Sequence, residues 1–265
     1  MRLLSIASGS SGNCIYAGSE STHILIDAGI SKKRIVSGLN GAGLAGEDID
    51  AIFITHEHSD HIKGLGVMAR QFGIKMYGSE KTIEYILNSG ICGEVDAELF
   101  SPVRADEPVK VGDLDITPFR IPHDAVDPLC YSIKNCGNKI SVVTDLGEFD
   151  DYILSHIKKS DILFVEANHD VNMLQTGRYP YRVKQRILGN RGHLSNEASG
   201  ELILKSMHDG LKRVILGHLS RENNYDKLAL ETVRLEIAME KKASDANGFP
   251  IDVARYDEPG EVFIA

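Results

Sequence analysis

The run Thr55-His56-Glu57-His58-Ser59-Asp60-His61 decides how this chain reads. It gathers three of the ten histidines into a few positions. Neutral imidazole and carboxylate are the side chains that bind first-row divalent metals. A lone histidine on an apolar face is usually a packed one; this grouping is different, because the apolar run Asp50-Ala51-Ile52-Phe53-Ile54-Thr55 leads directly into it. That run reads as a buried strand. A strand ending in ligands is how a rigid scaffold presents a site. Residues i and i+2 of an extended segment share a side, so His56 and His58 can grip one ion. Asp60 and His61 follow where the chain turns into a helix, and they can face a second ion.

The 265 residues, 42% of them hydrophobic, suffice for a substantial core. No run approaches the length of a membrane span. The opening Met1-Arg2-Leu3-Leu4-Ser5-Ile6 is too short for a signal peptide and lacks a small-residue cleavage pattern. Cys14, Cys92, Cys130 and Cys136 form no C-x-x-C pair and read as reduced thiols. A cytoplasmic protein that does not engage membranes is expected. The net charge of −9 argues against broad attraction to nucleic acid. It is a weak witness, because ligand carboxylates are counted and the ions they would hold are not. Distribution says more. Val171 to Asn196 contains no acidic residue but carries Arg178, Arg182, Lys184, Arg186 and Arg191, interleaved with Tyr179 and Tyr181.

Strands and helices alternate along the chain. Strands are expected at 3–7, 14–17 and 24–27, around the turn-rich Ser8-Gly9-Ser10-Ser11-Gly12-Asn13. Ser31 is a candidate N-cap for a helix to about 39. One helix is expected over 62–72, then a strand at 75–77 and a helix at 80–88. Strands at 113–122, 131–133 and 140–144 follow, the last two joined through the turn residues Asn135-Cys136-Gly137-Asn138. Helices are expected at 149–158, 181–188, 196–207 and 225–241, and strands at 162–166, 214–218, 251–254 and 261–264. With no linker and no 20–50-residue repeat, a single α/β domain over 1–265, with two sheets and outer helices, fits best.

Four further strand-like runs end in ligand-type side chains: Ile24-Leu25-Ile26 in Asp27, Phe119-Arg120-Ile121-Pro122 in His123, Val142-Val143-Thr144 in Asp145, and Val214-Ile215-Leu216-Gly217 in His218. Thr-His-x-His-x-Asp-His followed by a lone His, a lone Asp and a final His resembles the metallo-β-lactamase fold superfamily, over nearly the whole chain. The resemblance implies a four-layer αβ/βα sandwich with two mixed β-sheets flanked by helices. Carried over position by position, it implies that His56, His58 and His123 hold one metal. Asp60, His61 and His218 would hold a second, with Asp145 bridging and Asp27 orienting the ligand loop by hydrogen bonds. Zinc β-lactamases have a Cys among the second-metal ligands; an Asp at the bridging position is typical of the glyoxalase II, phosphodiesterase and nuclease branches. Two divalent ions per chain follow, with Zn, Mn and Fe all compatible with that donor set.

The flanks narrow the resemblance. Ser8 to Asn13, Val165-Glu166-Ala167-Asn168-His169-Asp170 and Arg191-Gly192-His193-Leu194-Ser195-Asn196 are similar to the bacterial YycJ/WalJ family. That family is associated with 5′→3′ exonuclease activity on double-stranded DNA, so a DNA substrate and a role in DNA processing and repair are expected. The implied reaction is attack on phosphorus by a hydroxide bridging the ions, which Asp60 could help orient. His193, ahead of an expected helix, is the candidate general acid. Ser195 and the basic residues Arg178, Arg182, Arg186 and Arg191 are candidate phosphate contacts, and the tyrosines could stack on an unpaired base. An amphipathic helix with a solvated basic face is the plain alternative. Glu166 and His169 could support ligands or face substrate. The rival function is a small-molecule hydrolase of the same fold, glyoxalase II-like, cleaving a thioester, lactone or cyclic nucleotide. A metal-stabilised module without catalysis is a further rival, disfavoured because structural zinc sites are closed tetrahedra. The sequence leaves the oligomeric state open.

Overall fold

The computed structural model describes residues 1–240 and 249–265. The first strands in chain order are β1 (Arg2–Ala7), β2 (Cys14–Gly18), β3 (His23–Ile26), β4 (Ala51–Phe53), β5 (Lys75–Ser79) and β6 (Phe100–Val103). Next come β7 (Val109–Val111), β8 (Leu114–Arg120), β9 (Leu129–Asn135) and β10 (Asn138–Val143). The last are β11 (Ile162–Glu166), β12 (Arg213–Gly217), β13 (Ile251–Val253) and β14 (Phe263–Ile264). They form two mixed seven-stranded sheets, in the orders β14-β1-β2-β3-β4-β5-β6 and β13-β12-β11-β10-β9-β8-β7. Two mixed sheets with helices is the fold class expected from the sequence. Among the described residues no helix is long and apolar enough to cross a membrane.

The chain groups into two units. The first comprises residues 1–120, 125–140 and 255–265; the second comprises 121–124 and 141–254. In the first unit, β1 to β3 run antiparallel and β3 to β6 run parallel. Its helices are α1 (Lys32–Gly41), the single turn α2 (Ser59–Ile62), α3 (Leu65–Phe72) and α4 (Glu80–Ser89). Their apolar positions recur at helical spacing: Ile35 and Leu39 in α1, Leu65, Met68 and Ala69 in α3, Ile83 and Ile86 in α4. These side chains bury with Leu25, Ile52 and Met76 from the sheet in one core. Each Leu, Ile or Met among them contributes about 1.5–3 kcal/mol relative to exposure.

In the second unit, β11, β12 and β13 are parallel. Its helices are α5 (Asp151–Ile157), α6 (Val171–Thr176), α7 (Tyr181–Leu188), α8 (Asn196–Ser206) and α9 (Asp226–Glu240). The expected end of α9 at residue 241 lies outside the described residues. Asp150, Asp170 and Ser195 accept the N-terminal amides of α5, α6 and α8. No residue of α7 is buried.

Three features depart from the sequence reading. The expected helix over 62–72 is broken into α2 and α3 at Lys63-Gly64. At the break the Gly64 amide leaves the helical ladder and donates to the Ala28 carbonyl, a close approach that needs glycine, since a Cβ there would lie 2.1 Å from the Ile30 carbonyl oxygen. β6 and β7 went unread because one contains Pro102 and the other is a three-residue, half-exposed strand. The two-turn α6 went unread for its brevity.

Parallel register sets the site. Pairing of Ile26 with Phe53 puts Asp27 and the residues after β4 at the same edge. Pairing of Glu166 with Gly217 does the same for Glu166 and His218. Carboxyl ends of parallel strands are where α/β folds carry their sites. Asp27, Asp145 and His218 each have positive φ, 61°, 60° and 52°, and a non-glycine residue in that region marks a constrained turn.

Gly29 shows how close the packing is. A Cβ there would lie 1.6 Å from the Asp60 carbonyl oxygen. Gly29→Ala must displace backbone beside the histidine run, and a loss of about 1–3 kcal/mol is expected. Urea unfolding of the variant measures it; unchanged stability would show that the contact yields freely.

Candidate metal centre

The first cluster is built on Asp27 at the end of β3. Its Oδ1 accepts the Thr55 amide at 2.8 Å; its Oδ2 accepts the Thr55 hydroxyl at 2.8 Å and His61 Nδ1 at 2.7 Å. Burial pushes the Asp27 carboxyl up, against the opposing pull of His61 and Thr55. Asn13 Nδ2, a donor only, meets His61 Nε2 at 3.0 Å. That nitrogen therefore accepts, and the His61 proton sits on Nδ1, facing Asp27. The Thr55 hydroxyl gives its one proton to Asp27 and so accepts from His56 Nδ1 at 2.9 Å. His56 Nε2 lies 2.9 Å from His58 Nδ1, two imidazole nitrogens turned on one point. Asp60 Oδ2 stands 3.5 Å from His61 Nε2. Carboxylate and hydroxyl partners thus fix the rings of His61 and His56 through Nδ1, leaving Nε2 as the nitrogen that could serve a divalent ion.

The second cluster gathers around Asp145, which is only 2% exposed. His218 Nδ1 lies 3.1 Å from Asp145 Oδ2, and His123 Nε2 lies 3.7 Å from Asp145 Oδ1. The ligand-type atoms of His123, Asp145 and His193 converge within 4.8 Å of one another, as do those of Glu166, His193 and His218. His123 Nδ1 is 3.2 Å from the Gly192 carbonyl, an acceptor, so its proton lies there and Nε2 faces Asp145. Burial pulls the His123 imidazole down, with Asp145 resisting, which keeps it in the neutral form a metal needs.

Glu166 organises the same region from 0% exposure. Its Oε1 accepts the Leu146 amide at 2.6 Å and the Leu194 amide at 3.0 Å, and its Oε2 meets His193 Nδ1 at 3.1 Å. It thereby ties the residue after Asp145 to the residues around His193. Burial alone would lower the His193 imidazole, but Glu166 and Asp145 outweigh it and the net shift is upward. His193 is thus suited to carry a proton at working pH.

The other expected residues distribute as follows. Ser195 is the α8 cap, accepting the Ala198 amide. Arg191 donates through Nε and Nη2 to the His123 carbonyl, at 2.9 and 2.7 Å. Arg186 pairs with both carboxylate oxygens of Asp124. Arg178 and Arg182 are exposed, and Tyr181 beside them is 76% exposed. His169 is buried at 1% exposure, with no hydrogen-bond partner at either ring nitrogen. Two roles were not legible in the sequence. Asn13 appeared only within a turn and a family mark, and Thr55 only as the head of the histidine run. A polar side chain flanked by glycines or ligands is the sole local signal either carries.

A fold of two mixed sheets with His/Asp clusters at strand ends defines a metallohydrolase class. The family described as a β-lactamase superfamily domain matches residues 22–219, and the chain belongs to this family. It is 42% identical over 233 residues to exodeoxyribonuclease WalJ of Streptococcus pneumoniae, covering 88% of this chain and 87% of the relative. It is 37% identical over 231 residues to exodeoxyribonuclease YycJ of Bacillus anthracis, covering 86% of each. Among solved structures, the metallo-β-lactamase fold protein YhfI of Bacillus subtilis superposes with a TM-score of 0.70 at 18% identity, covering 99% of this chain and 98% of that one. Zn²⁺-bound PqqB of Methylobacterium extorquens does so with 0.72 at 15% identity, covering both chains in full. These two likenesses speak for the fold.

His169 gives a test of this region that does not depend on activity. Burial, the dominant cause, pulls its imidazole down to about 4, with Glu166 opposing. Because the folded value is below the ordinary 6.5, the unfolded chain takes up the proton first. Stability is then whole above about pH 6.5 and lost as pH falls toward 4, by about 2 kcal/mol between pH 7 and 5. Urea unfolding of chelator-treated protein at both pH values should show a smaller drop for His169→Gln than for wild type. Equal drops would refute a buried neutral His169.

Proposed function

We propose that the protein is a metal-dependent exodeoxyribonuclease, hydrolysing double-stranded DNA from the 5′ end. The observation that carries the metal reading is the buried Asp145 carboxylate with imidazoles of His218 and His123 at 3.1 and 3.7 Å. The DNA reading draws on relatives 42% and 37% identical along most of their length. In this reading His56, His58 and His123 would hold one divalent ion, Asp60, His61 and His218 would hold another, and Asp145 would serve both. The whole chain then works as one hydrolase domain. Zn, Mn and Fe suit the imidazole–carboxylate donors. When bound, such ions activate water near neutral pH and stabilise charge on phosphorus oxygens.

The chain's own residues supply the rest. Asp27, through Thr55 and His61, fixes which nitrogens would be offered to the ions, and the Gly192 carbonyl does so for His123. Asp60 can orient the attacking water through a carboxylate oxygen. Glu166 holds the Nδ1 side of His193, so the Nε2 proton is the one available to the departing 3′ oxygen. Glu166 does this while its other oxygen anchors two backbone amides, and His169 packs in the same region. In this reading Arg178 and Arg182, both exposed, contact phosphates, and Tyr181 stacks on an unpaired base. Arg186 and Arg191 have fixed partners in Asp124 and the His123 carbonyl, and Ser195 caps α8. If they meet substrate, they do so in addition to these bonds. A cytoplasmic location and a part in DNA repair suit such an enzyme.

End-labelled linear duplex DNA with Mn²⁺ tests the activity. Progressive release of 5′ label is expected. Inertness on DNA, with turnover of S-lactoylglutathione or bis-p-nitrophenyl phosphate, would favour the small-molecule hydrolase instead.

Asp145→Asn should lower DNA hydrolysis by at least about 100-fold and reduce bound metal in elemental analysis. Hydrolysis at the wild-type rate would refute the role given to Asp145. Glu166→Gln should lower kcat more than it raises KM and shift the alkaline limb of the pH–rate profile to lower pH, since the group that raises His193 is lost. An unmoved limb would remove His193 from the proton transfer.

A further inference from the structure

Asn13 occupies a place in the first cluster that the reading above leaves unused. It is 1% exposed, at the end of the loop Ser8 to Asn13 that follows β1. Every one of its polar groups is directed. Its backbone amide donates to the Asp60 carbonyl at 2.7 Å, and its carbonyl accepts the Gly29 amide at 2.7 Å. Its Oδ1 accepts the Gly9 amide at 2.9 Å. The two protons of Nδ2 go separately, one to the Gly9 carbonyl at 3.2 Å and one to His61 Nε2 at 3.0 Å. The first fixes the amide plane; the second aims an N–H at the very nitrogen assigned to metal.

A nitrogen lone pair cannot accept that hydrogen bond and coordinate a cation together. The carboxamide cannot simply turn away, because Oδ1 and the other N–H are anchored to the two backbone groups of Gly9. Its remaining N–H is then a buried donor directed at the edge of the ion's ligand shell. Leaving a buried donor of this kind unpaired is costly, so it favours whatever acceptor arrives there. Asp60 Oδ2 already stands 3.5 Å from His61 Nε2, and as a metal ligand it would be engaged by the ion; an anion oxygen brought in by the ion is the other acceptor for this N–H.

We propose that Asn13 is an oxyanion-binding residue: with a divalent ion on His61, its second Nδ2 proton donates to a non-bridging oxygen of the bound phosphate. The assignment rests on His61 being a metal ligand, as in the function proposed above. It makes the loop of residues 8–13 part of the substrate site and gives its terminal asparagine a defined atom to contact. The group recognised is a phosphate oxygen and not a base, so the contact is indifferent to nucleotide sequence.

The test uses the full chain with Mn²⁺ or Co²⁺ and inorganic phosphate, without DNA. Metal stoichiometry and affinity are read by competition with a chromophoric chelator. Phosphate affinity is read from the visible absorption of the Co²⁺ protein. Asn13→Asp keeps the acceptor for the Gly9 amide but has no Nδ2 protons and adds negative charge; Asn13→Ala removes the whole group. Both variants should keep the wild-type metal stoichiometry. Phosphate affinity should fall about tenfold or more in Asn13→Ala and further in Asn13→Asp. Far-UV circular dichroism identifies a variant that does not fold, and the other then decides. A folded, metal-loaded variant with phosphate affinity within twofold of wild type would overturn the proposal. So would loss of metal stoichiometry in both variants, which would make Asn13 a support for His61 alone. A wild-type chain that takes up no ion would defeat the metal reading itself, a separate and earlier failure.

Discussion

One buried carboxylate holds the histidine run in working order. Asp27 receives an amide, a hydroxyl and an imidazole N–H through its two oxygens, all within 2.8 Å. Burying such a group without partners costs several kcal/mol; with three donors it becomes a rigid anchor. The tautomers of His56 and His61 follow from it in sequence. His61 gives Asp27 its Nδ1 proton. Thr55 gives Asp27 its only proton and so must accept from His56. Both rings are left with Nε2 lone pairs pointing away from the carboxylate. A metal centre depends on that choice of nitrogen as much as on having histidines at all.

The second unit solves the same problem with a different residue. Glu166 ends β11, takes two backbone amides on one oxygen and His193 on the other. The amides belong to Leu146 and Leu194, neighbours of Asp145 and His193, so one carboxylate sets two loops. Arg191 adds a third brace by donating twice to the His123 carbonyl. In both units a first set of donors is presented and a second set holds it still. Asp145 and His218 leave their strands in left-handed conformations, a strained geometry that survives because neighbouring hydrogen bonds over-determine it.

Much of this was legible from the chain alone. β11 and α7 fall where periodicity puts them, residue for residue, because each carries a clean apolar or amphipathic pattern. The strand ends before Asp27, Asp145 and His218 were readable because β-branched runs stop abruptly at a polar residue. The split of α2 from α3 was not, since Leu65, Met68 and Phe72 continue the spacing of Ile62. Gly64 breaks the helix through a contact with residues 28 and 30, which no local pattern records. β7 was missed because three half-exposed residues give too little alternation to count.

The sequence by itself determined the inventory: which donors exist, that they stand at strand ends, and, through motif order, the family. Those properties are local, carried by residue type and spacing. The tertiary structure decided which nitrogen each histidine offers, that Glu166 partners His193, that Arg191 braces His123, and that Asn13 faces His61. These are directional hydrogen bonds, and apart from the one between the adjacent Thr55 and His56 their donors and acceptors are separated by 27 to 69 positions. Their geometry exists only once parallel strands have brought those positions into register.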